Sequence, residues 1–329
     1  MKVQKVDFDV VVVGGGAAGL SAGLVLARAR RSVLVIDSGE PRNAPASQVH
    51  GYLGREGIAP AELAAVGREE VTGYGGEFLD GEVTAVKGSV ADGFRLVLAE
   101  GAAVAEVTAR RLLVTTGLVD ELPPVPGLAE RWGRDVLHCP YCHGWEVRDA
   151  PIGILATGPL AVHQAQMWRQ WSDDVTLLRH TAPDFDDEQY EQLAARGVAV
   201  VDGEVVSLDL TDDRLSGVGL AGGRVVPVRA LVVPPLFGAR GGILAELGAA
   251  PVDREMAGQV VGSAVPTDPA GATSVPGVWA AGNVADPTET VIGSAAAGLR
   301  AAAAINADLI AEETRRAVEA RQGAPGGER

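Results

Sequence analysis

A buried-strand run, Asp9-Val10-Val11-Val12-Val13, passes directly into Gly14-Gly15-Gly16-Ala17-Ala18-Gly19 and then into a helix-forming stretch over 20–30. Ser32-Val33-Leu34-Val35-Ile36 follows as a second buried strand and ends on Asp37. This order leaves few folds open, because each glycine has its own task. Gly14 permits a tight turn, Gly16 lets the backbone approach a pyrophosphate, and Gly19 lets helix and strand pack closely, with the phosphate charge drawn to the helix amino terminus at Ala17 and Ala18. Asp37, 18 residues past Gly19, is placed to hydrogen-bond a ribose hydroxyl. The chain therefore opens as a dinucleotide-binding α/β unit.

A chain of 329 residues is long enough for about two domains with large cores. Residues 1–116 carry the glycine loop, a Pro/Gly-rich excursion over 39–60, strand-like runs at 82–87 and 94–99, and a strand ending in Thr115-Thr116-Gly117. Leu122-Pro123-Pro124-Val125-Pro126-Gly127 reads as a crossing between domains. Beyond it the strands Ile152–Leu155 and Val175–Leu178 flank a helix expected to run through Trp168 and Trp171, so strand-helix-strand occurs twice. Those two tryptophans read as core. Near the end, Val278-Trp279-Ala280-Ala281-Gly282-Asn283 precedes an alanine-rich helix over 294–311. Its following charges, Glu312, Glu313, Arg315, Arg316 and Arg321, read as a solvated helix face. His163 and His180 read as surface residues, and 323–327 as a frayed tail. Two Rossmann-like domains are expected, the second (118–244) inserted into the first (1–117 and 245–329).

The only two cysteines lie in His138-Cys139-Pro140-Tyr141-Cys142-His143-Gly144-Trp145. Their spacing allows a four-residue disulfide ring, and one sulfur of such a pair is acidic enough to be partly thiolate near neutral pH. The pattern also satisfies Cys-x-x-Cys-His haem attachment, but residues 1–8 lack the apolar stretch of an export signal. Zinc is disfavoured because consecutive turn residues converge poorly on one tetrahedral ion, so no metal site is expected. The motif occurs in glutaredoxins too, near the start of much smaller proteins. A net charge of -15 disfavours nucleic acid and anionic membranes as partners. No apolar run is long enough for a membrane span, and the expected location is the cytoplasm.

The glycine fingerprint, the Thr-Thr-Gly turn, the central Cys-x-x-Cys and the late Trp-Ala-Ala-Gly-Asn-Val segment occur in the order found in low-molecular-weight thioredoxin reductases, which nearly the whole chain resembles. The resemblance implies FAD as cofactor in the first domain, completed by the carboxy-terminal segment, and a homodimer. It implies Cys142 as the sulfur nearest the flavin and Cys139 as the one exchanging with substrate. Cofactor contacts would come from the fingerprint with Ser38, from the excursion (Arg42, Asn43, Gln48, His50), from Val83, Thr116, Gly117 and Gly282, and from Val291 and Ile292 at the last helix. Asn283 stands where most relatives carry an aspartate on the ribityl chain, and an amide can still make that hydrogen bond.

The second strand-helix-strand departs from the reductase pattern. Its first turn reads Ala156-Thr157-Gly158-Pro159-Leu160-Ala161, without the leading glycine, and Pro159 withdraws an amide donor. After its second strand a single Arg179 is followed by Asp184, Asp186, Asp187 and Glu188 where a cationic fork should grip a 2′-phosphate. Losing one or two charge-assisted bonds of roughly 1.5–3 kcal/mol each weakens binding about 10- to 10⁴-fold. The segment Cys-Pro-Tyr-Cys-His-Gly-Trp-Glu resembles instead the active site of small-molecule dithiol oxidases, flavoenzymes that close disulfides in natural products such as gliotoxin, holomycin and romidepsin, with the holomycin type nearest. That resemblance implies oxidation of a small dithiol, with electrons passing through the cysteines and FAD to oxygen and giving hydrogen peroxide. His143, and next His138, would supply the base for thiol deprotonation. An NADPH-dependent disulfide reductase and a non-enzymatic redox-sensing flavoprotein remain open, and flavin bleaching by NADPH or by a dithiol separates them.

Overall fold

The computed structural model describes residues 7–323. Strand Asp7–Val13 lies between parallel neighbours Val33–Asp37 and Glu106–Val114, in a seven-stranded sheet that also takes Glu77–Asp80, Val83–Ser89, Gly93–Leu98 and Val278–Ala280. Its valines divide between two cores. Val11 and Val13 pack on one face with Phe94, Leu96 and Val278, while Val10 and Val12 pack on the other with Leu26, Ile305 and Leu309. Burial on both faces is why the strand reads as an unbroken apolar run. Helix Ala17–Arg28 covers the second face beside the long helix Val291–Gly323. The two helices approach so closely at Gly298 that a Cβ there would lie 2.0 Å from the Ala18 carbonyl oxygen.

A five-stranded parallel sheet follows in the order Ala199–Val201, Val175–Leu178, Ile152–Leu155, Ala230–Val232, Val136–Leu137. All its strands lie between 136 and 232, inside the gap between Glu106–Val114 and Val278–Ala280 of the first sheet. The chain leaves and returns through Leu118–Glu121 and Leu236–Ala239, which pair antiparallel and join the hairpin Val252–Met256/Gln259–Ala264 in a four-stranded sheet. These crossing strands bring the cysteine segment, which begins just after Val136–Leu137, onto the carboxyl end of the first sheet.

Three local expectations are corrected. Helix Ala161–Trp168 ends at the buried Trp168, and Trp171 lies beyond it in the following turn, where its ring meets Tyr141 edge-on at 5.5 Å. His180 is half-buried, and its Nδ1 accepts the Val205 N–H at 3.1 Å. The late charges do not form a uniformly solvated face. Glu312 is only 7% exposed and accepts from Arg111, itself 2% exposed on strand Glu106–Val114, while Glu313 binds Arg31 and Arg110. Side chains from a distant strand thus tie the end of the last helix to the first sheet. The stretch 323–327 falls, apart from the helix terminus at 323, outside the described residues.

Candidate active site

A cavity of about 1270 Å³ runs from the first glycine loop to the cysteine pair. At its floor, Gly14 adopts φ +109°, and a Cβ there would lie 2.4 Å from the Thr115 carbonyl oxygen. A Cβ on Gly19 would lie 1.9 Å from the Gly14 carbonyl oxygen, so that glycine sets helix–strand packing and does not line the cavity. Gly16 differs from both. Nothing lies within 4 Å of its Cβ position, and it caps the helix amino terminus facing the open space. Asp37 Oδ1 accepts the Gly15 N–H at 3.0 Å, which leaves its other carboxylate oxygen free of that bond. Thr115 Oγ1 donates to the Val13 and Gly14 carbonyls and closes the turn from above.

The walls come from segments far apart in sequence. Ser38, Asn43, Gln48, His50, Val83, Thr116, Gly117, Gly282, Asn283 and Val291 all line the cavity, as do Ala17 and Ala18; Ile292 does not, and its side chain faces solvent. Arg42 is a junction. It donates to both carboxylate oxygens of Asp120 (2.8 and 2.6 Å) and to Asn283 Oδ1 (3.2 Å), and its guanidinium lies over the Phe237 ring. The Asn283 amide nitrogen donates to the carbonyl of Glu289 at 2.9 Å, which fixes the turn entering the last helix. Asp120 and Phe237 were not foreseeable as cavity residues, since each sits on a crossing strand with no motif around it.

Cys139 and Cys142 are disulfide-bonded at the roof, with Cα atoms 5.3 Å apart. Cys139 occupies the N-cap of the single turn Pro140–His143, and Pro140 starts that turn without needing the amide it lacks. Gly144 then passes over Trp171, where a Cβ would come within 2.9 Å of the indole. Both histidines flanking the pair face the cavity. Burial pushes the His143 imidazole below the ordinary histidine value, opposed by the Glu146 carboxylate and reinforced by the His50 charge. Among the described residues neither of its ring nitrogens has a hydrogen-bond partner. His138 is likewise pushed down by burial, with a backbone hydrogen bond at Val233 working the other way, and its ring meets Phe237 edge-on. A neutral imidazole without a partner, beside a disulfide, can take a proton from an incoming thiol.

A second cavity of about 570 Å³ lies at the Thr157-Gly158 turn. Here the Gln259 side chain, from the hairpin, fills the space in front of the turn: a Cβ on Gly158 would sit 2.1 Å from Gln259 Oε1. Arg179 is held by Asp202 at 2.6 Å and Asp184 at 3.3 Å, and Asp184 also accepts from the Tyr190 hydroxyl. Among the described residues the lining contains carboxylates at Glu121 and Glu204 and no lysine or arginine. Asp186 caps helix Asp187–Ala195.

Residues 8–302 match the family model described as pyridine nucleotide-disulphide oxidoreductase. The chain belongs to that family. Among solved structures it is similar to HlmI (48% identity, 95% of this chain and 96% of that one, TM-score 0.87) and to an oxidoreductase from Agrobacterium tumefaciens (37%, 92% and 99%, TM-score 0.85). It is 30% identical to the thioredoxin reductase sirT of Leptosphaeria maculans over 91% of this chain and 93% of that protein. The match to the thioredoxin reductase tcpT of Claviceps purpurea is closer, at 39%, but spans 51% of this chain and about half (54%) of tcpT. Thioredoxin reductase-like members of the family are FAD proteins, and FAD is the cofactor here. The first cavity fits it: the open face at Gly16 and the helix amino terminus would take the pyrophosphate, Asp37 would take the ribose, and the walls around Arg42, Asn283 and Val291 leave room for the remainder below the cysteine pair. Among the described residues no helix is long and apolar enough to cross a membrane, and no group of three or more His, Cys, Asp or Glu side chains could hold a metal ion.

The contrast between Gly16 and Gly19 yields a prediction. Gly16→Val is expected to leave the protein folded but to remove most bound flavin, because a Cβ there has open space around it and the added side chain would occupy the pyrophosphate approach. Absorbance of the purified variant checks this, with circular dichroism as the folding control. Full flavin content in the variant would mean that the cofactor does not approach this turn.

Proposed function

We propose that this chain is an FAD-dependent oxidase that closes the intramolecular disulfide of a small-molecule dithiol, of the kind found in natural-product precursors, with oxygen as the electron acceptor and hydrogen peroxide as its product. The observation that carries this reading is the difference between the two cavities. The first has a glycine turn open to a dinucleotide and a disulfide at its roof. The second has its turn filled by Gln259 and its one nearby arginine bound to two carboxylates. Nicotinamide dinucleotide would have to displace Gln259 and bring phosphate toward Glu204, at an electrostatic cost.

In this reading a substrate thiolate attacks Cys139, the second substrate thiol closes on the first, and the cysteine pair is left reduced. His143 takes the thiol proton. FAD, when bound, supplies the two-electron chemistry that joins the reduced pair to oxygen. The alternative, an NADPH-dependent disulfide reductase, is favoured by the names of the thioredoxin reductase relatives. Anaerobic bleaching decides between them. A small dithiol such as dithiothreitol is expected to decolourise the flavin while NADPH leaves it yellow over the same interval. Rapid bleaching by NADPH with none by the dithiol would reverse the assignment.

A further inference from the structure

Trp171 stands in the turn after helix Ala161–Trp168, well away from the cysteines in sequence, yet it holds their segment at two places. Its ring meets Tyr141, one of the two residues between the cysteines, edge-on at 5.5 Å. The same indole underlies Gly144 so closely that a Cβ there would come within 2.9 Å of it. Farther along, the Trp171 carbonyl accepts the Asp149 N–H at 2.9 Å, and the neighbouring Ser172 hydroxyl donates to the Ala150 carbonyl at 2.6 Å. Behind the indole lies the Trp168 ring, fully buried in the core of the second sheet, with its centroid 6.1 Å away. The turn that carries the disulfide therefore rests on a ring that the inserted unit holds still.

We propose that Trp171 is a positioning residue for Cys139 and Cys142 and biases the pair toward its disulfide form. In the oxidised protein the covalent ring fixes the turn Pro140–His143 by itself. After reduction only non-covalent contacts do so. An indole packed under Gly144 and against Tyr141 keeps the two thiols close, which raises their effective concentration for closing the bond again. Without that ring the reduced turn gains backbone freedom that the oxidised turn, held by its own bond, does not gain. The equilibrium concerned is exchange with a small dithiol. Two S–H bonds of the dithiol break and its own S–S bond forms, the Cys139–Cys142 bond breaks, and two electrons and two protons pass to the cysteines. Atoms and electrons balance without another reagent. The inference rests on the thiol–disulfide exchange described above, and holds whether oxygen or NADPH is the flavin's other partner.

The test equilibrates the FAD-loaded protein anaerobically with mixtures of reduced and oxidised dithiothreitol. Alkylation followed by mass measurement then counts free thiols, and the count reports this pair alone because the chain has two cysteines. Trp171→Leu is expected to move the equilibrium constant about tenfold toward the dithiol, the effect of freeing about one residue of backbone, which raises the potential by about 30 mV. Trp171→Phe keeps a ring in place and recovers part of the shift. Flavin absorbance of each variant confirms that the first cavity is intact. An unchanged constant in Trp171→Leu, or a shift toward the disulfide, would overturn the proposal while leaving the exchange reading standing. A wild-type pair that no mixture reduces would end the exchange reading, and this inference with it. Where Trp171→Leu does not fold, Tyr141→Ala decides instead, at a side chain 72% exposed. A smaller shift toward the dithiol there supports the proposal, and an unchanged constant overturns it.

Discussion

Serine in place of Cys139 or Cys142 is expected to reduce dithiol oxidation by about 10⁴-fold or more, because the exchange needs a sulfur–sulfur bond to attack and a hydroxyl supplies neither an electrophile nor a leaving group. The flavin should remain bound. Neither cysteine holds the glycine turn, Asp37, Arg42 or Asn283 in place; those residues are fixed by their own hydrogen bonds. Nor should the fold suffer much, since a ring closed over a sequence separation of 3 restricts the unfolded chain by only about 2 kcal/mol on loop-entropy grounds. Oxygen consumption with a dithiol and flavin absorbance, measured on the same preparation, separate the two effects. A double serine variant that still consumes oxygen at the wild-type rate would falsify the exchange pathway and direct electrons from substrate to flavin without passing through sulfur.

What could be read before the structure depended on how local each signal was. The first dinucleotide loop was legible because strand, glycines, helix and acid are contiguous, and the structure assigns Gly14, Gly16 and Gly19 three different steric tasks. The redox pair was legible for the same reason. The weakness of the second loop showed in its missing glycine and its acidic run, but the residue that fills it, Gln259, comes from a hairpin on the far side of the crossing strands. Nothing in the sequence near Gln259 marks it. The carboxy-terminal charges alternate as on a solvated helix, whereas Glu312 is buried against Arg111, a cation hidden in a strand between Arg110 and Leu112. Pairing over such separations is a property of the folded topology. His50 shows the intermediate case: its loop could be placed near the cofactor, yet only coordinates reveal that both its ring nitrogens face carboxylates.

Replacing His143 with glutamine is expected to slow dithiol oxidation by about 10²- to 10⁴-fold near neutral pH, the range for loss of a general base. Burial holds the imidazole below the ordinary histidine value, so the neutral, proton-accepting form persists as pH falls past that value and is lost only when pH passes through the lowered one. Wild-type kcat/KM should therefore stay flat into mildly acidic solution and then drop. In His143→Gln the substrate thiol must ionise unaided, so the rate should climb about tenfold per pH unit and level off near the thiol pKa of about 8.5, recovering about 30-fold of the loss and staying below the wild type. His138→Gln is the informative comparison. Among the described residues its Nδ1 is also buried without a partner, but the ring is seated against Phe237 and bonded at the Val233 backbone, which suits holding the segment more than moving a proton. A pH profile that steepens in His138→Gln and stays flat in His143→Gln would transfer the base role to His138. Equal flat profiles in both would mean that the substrate thiol arrives already ionised, leaving the two imidazoles to shape the cavity around the disulfide.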